Sequence, residues 1–278
     1  MTGRERMMAT LQGLPTDRRP MLLTSSLYGA RLSGRTLAEH YRSPDAYVEG
    51  QAAVVETFRP DAVLAPFCLT AEAESFGSRV RFHENQPPTL QLPAAGTPEE
   101  VAALPIPDCN THPRLLYLRE SVRMLASRYH AERCVAMPAL SPVDLPALLL
   151  GAEGWLDTLF FDHENAKRIL DVTARFFIDW ANALFRDGAD FLVLPIVFAN
   201  PAVVTPSVAK HIALPALRQA FQEIAGPLVI HHAGSPMLPL LPYLGDIPHI
   251  AAVAVDETDT LQAIRRTIPD TMAILAGP

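Results

Sequence analysis

The stretch His163–Pro195, HENAKRILDVTARFFIDWANALFRDGADFLVLP, decides the architecture. Ile169, Val172, Phe176, Trp180, Ala183 and Leu184 recur at helical spacing, which turns one apolar face toward a core. Asp162 is a residue type that caps helix N-termini, and Gly188 falls where a helix closes in left-handed backbone. The helix is therefore predicted over 163–187. Asp190–Pro195 (DFLVLP) follows at once as a nearly unbroken apolar run, the pattern of a strand buried on both faces. Trp180 and the Phe176–Phe177 pair read as core.

The same alternation continues in both directions. Apolar runs at 19–25, 61–66, 133–139, 228–232, 250–255 and 272–275 read as further strands. Helical patterns lie at 35–58, 113–130, 206–224 and 260–267. Residues 1–18 read as an N-terminal extension, 78–92 as a polar hairpin outside the sheet, and 93–113 as a proline-containing connection. Seven strands alternate with helices, and no GxGxxG phosphate motif appears. The expectation is one α/β domain over 1–278, a (β/α)8 TIM-barrel-like fold lacking its last βα unit.

Composition narrows the function classes. The 278 residues are 49% hydrophobic and 19% charged, which excludes a disordered chain. A net charge of −7 and the lack of a basic stripe argue against a nucleic-acid partner. Cys68, Cys109 and Cys134 are too scattered for a disulfide framework or a CxxC knuckle. Neither a signal-like opening nor a bilayer-length apolar run is present, so a soluble, cytoplasmic setting without a membrane partner is expected. Lysine occurs only at 167 and 210, which reads as the bias of a GC-rich genome.

In a (β/α)8 barrel the chemistry gathers at the carboxyl ends of the strands. That rule selects Cys68, Thr70, Glu72 and Glu74 after the second strand, and Ser141 and Asp144 after the third. It adds Asn200, then His231 and His232, then Asp256, Glu257 and Asp259. A neutral imidazole at a strand end suits a metal ligand, a general base or a capped core histidine. Adjacent strand residues point to opposite faces, so a regular strand turns only one of His231 and His232 inward. Glu72 and Glu74 fit a carboxylate pair that shares a proton, or acidic residues favoured by a helix start. Asp256–Glu257 has the same two readings. Cys68 fits a thiolate ligand or a small buried hydrophobe.

These residues carry a resemblance. Arg6 through Leu11–Gln12–Gly13 to Asp17–Arg18–Arg19–Pro20 resembles the opening of the uroporphyrinogen decarboxylase superfamily. Pro66–Gly77 (PFCLTAEAESFG) is similar to its methylcobamide:thiol methyltransferase branch. Gly188–Ala189–Asp190, Leu228–Gly234 (LVIHHAG), Val255–Asp256–Glu257 and Leu275–Ala276–Gly277–Pro278 fit in order along the whole chain.

The resemblance implies a (β/α)8 barrel that moves a methyl group from a methylcobamide or corrinoid protein to a small thiol. It also implies a zinc held by a His-x-Cys pair and a later cysteine. His231 matches that histidine, Ala233 stands at the first cysteine, and the second would fall after residue 278. A substitute zinc set would draw on His231 with Cys68 or Glu257. Glu74, Glu257 and Glu72 are then the candidate catalytic carboxylates, and Ser141, Asn200 and His232 the candidate corrinoid-binding residues.

Two alternatives stand beside this. One is a decarboxylase-like enzyme on a tetrapyrrole. Its arginine-rich opening is here Ser26–Arg31 with a single arginine, and its Asp-Ser-Trp segment is Pro195–Ala199. The other is a non-catalytic accessory subunit that binds a corrinoid or a partner. A barrel one unit short would leave open strand edges, which predicts a homo-oligomer.

Overall fold

The computed structural model describes residues 1–277. The chain opens with α1 (Gly3–Leu11), α2 (Ser26–Ser33), α3 (Leu37–His40) and α4 (Pro44–Phe58), then β1 (Ala62–Leu64) and α5 (Thr70–Ser75). A hairpin of β2 (Arg79–Arg81) and β3 (Thr89–Leu92) leads to α6 (Pro98–Ala102), α7 (Pro113–Tyr129) and β4 (Cys134–Pro138). Next come α8 (Pro146–Leu149), α9 (Ala152–Phe161), α10 (His163–Asp187) and β5 (Phe191–Pro195). A continuous helical segment follows, made of α11 (Pro206–Val208), a π-helical turn (Ala209–Ala213) and α12 (Leu214–Gln222). The chain closes with β6 (Leu228–His231), β7 (Ile250–Ala254), α13 (Leu261–Thr267) and β8 (Ala273–Leu275).

The main sheet is parallel throughout, in the order β1-β4-β5-β6-β7-β8. Its two faces serve different cores. Val63, Val135, Met137, Leu192, Leu194 and Ile230 pack outward against the helices. Their neighbours Ala62, Leu64, Ala136, Phe191, Val229 and Ala252 form a separate inner cluster that Met7 and Leu11 of α1 complete. Alanines at Ala62, Ala136 and Ala252 alternate with the larger Leu64, Phe191 and Val229 on this inner face, and the sheet curls around them as the wall of a barrel. No helix among the described residues is long and apolar enough to cross a membrane.

α1 is tied across the amino ends of the strands. Arg4 pairs with Asp190 at 2.8 Å, and Arg6 is buried between Asp17 and Asp61 at 2.6 and 2.5 Å. Asp61 also takes both terminal nitrogens of Arg18 and the N–H of Met21.

That last bond explains one departure from expectation. The strand predicted at 19–25 is reduced to a single bridge, Leu22 to Ala62. Pro20 has no N–H to donate, and the N–H and carbonyl of Met21 are both spent on Asp61. The sheet therefore has six strands where seven were expected. A second departure is at 35–58, where two helices replace one. Pro44 interrupts the hydrogen-bond ladder and opens α4 behind the Ser43 cap. The segment Ser26–Ser33, assigned no element from the sequence, is helical and packs on α4, with Gly29 against Gly50.

Candidate active site

The helix at 163–187 begins at its Asp162 cap and ends at Gly188, whose φ is +108°. It spans the barrel wall and sets Trp180 beneath the mouth. There Trp180 Nε1 donates to Glu72 Oε1 at 2.6 Å. Glu72 lies on α5, after β1, and its other oxygen accepts the N–H of Leu140 in the loop after β4, at 2.9 Å.

The next loops are joined in the same way. Asp144, after β4, accepts the N–H groups of Val197 and Phe198, after β5, at 2.8 and 3.3 Å, and also the hydroxyl of Ser141. Asn200, after β5, donates to the carbonyl of Pro236, after β6, at 2.9 Å. Asp259, after β7, accepts from Met237 and Leu238, after β6, at 2.8 and 3.3 Å. All four side chains are buried. Each ties its own loop to the backbone of an adjoining one, Glu72, Asp144 and Asn200 forward in strand order and Asp259 back, so one chain of staples links the loops after β1, β4, β5, β6 and β7.

Burial sets the protonation of two of them. Desolvation pushes the Glu72 carboxyl up to about 8, against the pull of the Leu140 and Trp180 hydrogen bonds. It raises Asp144 to about 6, against its bonds from Ser141, Val197 and Phe198. Among the residues selected at the strand ends, Glu72, Asp144, Asn200 and Asp259 therefore have polar atoms committed to other loops, and the Ser141 hydroxyl is committed to Asp144 within its own loop.

His231 and His232 occupy the mouth itself. His231 ends β6 with the same parity as inward-facing Val229. Beyond it the chain turns through left-handed backbone, with φ of 51° at Ala233 and 83° at Gly234. The turn ends the regular alternation, and the two imidazoles stack with centroids 4.5 Å apart and planes 23° from parallel.

Each ring takes a hydrogen bond on Nδ1 from two residues ahead. His231 accepts from Ala233 at 3.0 Å and His232 from Gly234 at 3.1 Å. Burial, with the neighbouring His232, pushes His231 down to about 4. It is thus neutral at physiological pH and carries its proton on Nε2. His232 Nδ1 lies 3.2 Å from Asp256, whose carboxyl is held low by hydrogen bonds from Thr258 and by His232. Glu257 is exposed beside it.

Cys68 and Glu74 meet elsewhere on the rim, around Arg114. Its guanidinium donates to Glu74 at 2.7 Å, to the Tyr41 carbonyl at 2.8 Å and to the Cys68 sulfur at 3.5 Å. It lies over the rings of Phe82 and Tyr117, each 5.0 Å away. Burial pushes the Cys68 thiol up, with Arg114 opposing it. Arg114 and the indole donor of Trp180 escaped the sequence reading. A buried indole N–H needs an acceptor, and that was the available signal for Trp180. Nothing in the sequence marks Arg114.

A structural zinc needs four donors and a catalytic one three, softened by thiolate where methyl transfer to sulfur is the task. No group of three His, Cys, Asp or Glu side chains converges to hold a metal among the described residues. His231 Nδ1 is filled by the N–H of Ala233, the residue that stands at the expected cysteine, and Cys68 is engaged by Arg114. The described donor set does not fit zinc.

The chain is similar to characterised proteins along its length. A methylcobamide:CoM methyltransferase of Methanosarcina mazei is 24% identical over 283 residues, covering 99% of this chain and 82% of the relative. Another from Methanosarcina barkeri is 22% identical over 238 residues, covering 84% and 70%. The solved structure of a methyltransferase from Methanosarcina mazei superposes with a TM-score of 0.89 at 19% identity, over 99% of this chain and 82% of that one. It shares the (β/α)8 barrel-type fold. The family model for uroporphyrinogen decarboxylase (URO-D) matches residues 2–276, and the chain belongs to that family.

Proposed function

We propose that this chain transfers a methyl group from a methylcobamide to a thiol-type acceptor at the mouth formed after β6 and β7. The observation that carries the reading is the match of 99% of the chain to a methylcobamide:CoM methyltransferase. The arrangement of His231 and His232 is compatible with it. In the reaction a thiolate sulfur attacks the methyl carbon. The C–S bond forms, the Co–C bond breaks, and its electron pair remains on cobalt.

The chain's own part is binding and orientation. His231, neutral and with Nδ1 filled, offers its Nε2–H as a fixed donor to a bound group. His232, beside Asp256, is a second polar contact, and Glu257 and Glu74 stand on the rim. The staples hold this mouth rigid, so the donor positions need no rearrangement on binding.

The short donor set favours a second reading, a corrinoid-binding accessory subunit without turnover. One experiment separates the two. The chain is mixed with methylcobalamin and coenzyme M or simple thiols, with cobalt spectra and thioether formation followed. Thioether that appears with this chain and falls with His231→Ala supports transfer. Saturable spectral change without thioether supports the accessory role. Neither response removes both.

A further inference from the structure

A second polar cluster lies on the outer flank of the same end of the barrel. α10 leads down into β5 and the 206–222 helical segment leads down into β6, so both helices begin at the end that carries the mouth. Between their first turns is a cavity of about 250 Å3 lined by His163, Lys167, Ser207, Val208, His211 and Ile212. Four of these form two pairs at i, i+4, His163 with Lys167 and Ser207 with His211, which puts each pair on one helix face. Val208 and Ile212 are buried.

The site is cationic in a chain of net charge −7. Lys167 is one of only two lysines, and the other, Lys210, adjoins His211 outside the lining. Lys167 and His163 form no ion pair among the described residues. The nearby carboxylates of Asp162 and Glu99 both accept from the Asn165 amide, and Asp162 also faces the charge of Arg168 and His163. His211 has its Nδ1 fixed by the Ser207 carbonyl at 3.0 Å, so Nε2 is the atom left for a ligand. His211 lies in the π-helical turn, a feature common at functional sites, and its ring is held against Ser207 by the Nδ1 contact. A hydroxyl, two imidazoles and a lysine around an open space match a tetrahedral oxyanion, and lysine serves as a point-charge phosphate binder.

We propose that this cavity binds the phosphate group of a phosphate ester, held by Lys167, His163 and His211 with the Ser207 hydroxyl. The ester comes from one of two sources: a free phosphorylated small molecule, or the phosphodiester in the nucleotide loop of a cobamide. The cavity volume leaves space beside the phosphate for part of the rest of the ester. The site does not depend on methyl transfer, because none of its residues lies at the His231 mouth.

The test titrates inorganic phosphate into the full chain with labelled histidine, read by NMR. The expected result is saturable movement of the His163 and His211 ring signals, with Kd in roughly the millimolar range or tighter. Lys167→Gln should weaken binding by about tenfold, the effect of losing a direct charged contact of ~1.4 kcal/mol, while Lys210→Gln changes it little. Both lysines are exposed, so folding is not at stake. No saturable movement, or equal loss with both lysine variants, overturns the site. Competition then assigns the source. Displacement of phosphate by cobalamin but not by cobinamide assigns the cobamide loop, and displacement by neither assigns a free phosphate ester. His231→Ala should bind phosphate unchanged, which keeps this test separate from the methyl-transfer reading.

Discussion

Asp144 Oδ1 accepts the backbone N–H of Val197 at 2.8 Å, across 53 residues of chain. The pair fixes the loop after β5 to the loop after β4, and Phe198 adds a second donor to the same oxygen. Asp144→Ala leaves those N–H groups without an acceptor and should cost about 2–4 kcal/mol. Asp144→Asn keeps one carbonyl oxygen for them and lets its amide donate to Ser141, so it should lose less than about 1 kcal/mol. Chemical denaturation of the three proteins decides this; equal stability of the alanine variant and wild type would sink the staple.

Glu72 gives the protein a distinctive pH response. Its folded-state value of about 8 lies above the ordinary 4.5, so the native state holds a proton that the unfolded chain releases between those pH values. Stability therefore falls as pH rises through that window. Asp144 acts in the same sense, but only up to about 6. His40, His112 and His231 are held below 6.5, and their contribution is lost as pH falls beneath that value. From pH 6.5 to 8 Glu72 stands alone among these groups. Wild type should lose at most about 1.4 kcal/mol per pH unit there. Urea melts of Glu72→Gln should be flat across the same range; a parallel decline would place the response elsewhere.

The mouth should take up no stoichiometric zinc. After incubation with zinc and exhaustive dialysis, elemental analysis should find wild type and His231→Ala alike, each well below one metal per chain. One zinc in wild type, lost in His231→Ala, would overturn the reading of the donor set.

Gly188 closes α10 at φ +108°, and a Cβ built there would sit 2.6 Å from the Cβ of Ala126 on α7. Gly188→Ala should therefore cost about 2–4 kcal/mol, from backbone strain and overpacking together. Adding Ala126→Gly relieves the contact and leaves the strain, so a double-mutant cycle should recover only part of the loss. Full additivity would show that the close approach carries no energy.

What was legible from sequence followed local chemistry. Asp162, the 3.6-residue periodicity and Gly188 bounded α10 at the residues where it begins and ends. The barrel rule gathered Glu72, Ser141, Asn200 and His231 to one end. Pro44 was visible as a break, but the long apolar pattern around it was read as one helix. The strand at 19–25 failed because the partner of Met21 is Asp61, forty residues away. The same reason hid the staples. A carboxylate that meets a backbone N–H or an indole 53 to 108 residues distant looks, in sequence, like any polar residue after a strand. The stacking of His231 on His232 depended on left-handed backbone at Ala233, a non-glycine position that propensity does not flag.

The staples also constrain how this protein can be recombined. A loop transplanted by itself from a relative would meet a neighbour whose carboxylate or amide expects a different backbone. Exchanging the β4 and β5 loops together carries Asp144 with Val197, and exchanging the β6 and β7 loops together carries Asp259 with Met237. Chimaeras cut inside either pair should fold poorly. Those that keep pairs whole still break the contact at each boundary, so the chain of staples sets the smallest portable piece of the mouth at two adjoining loops.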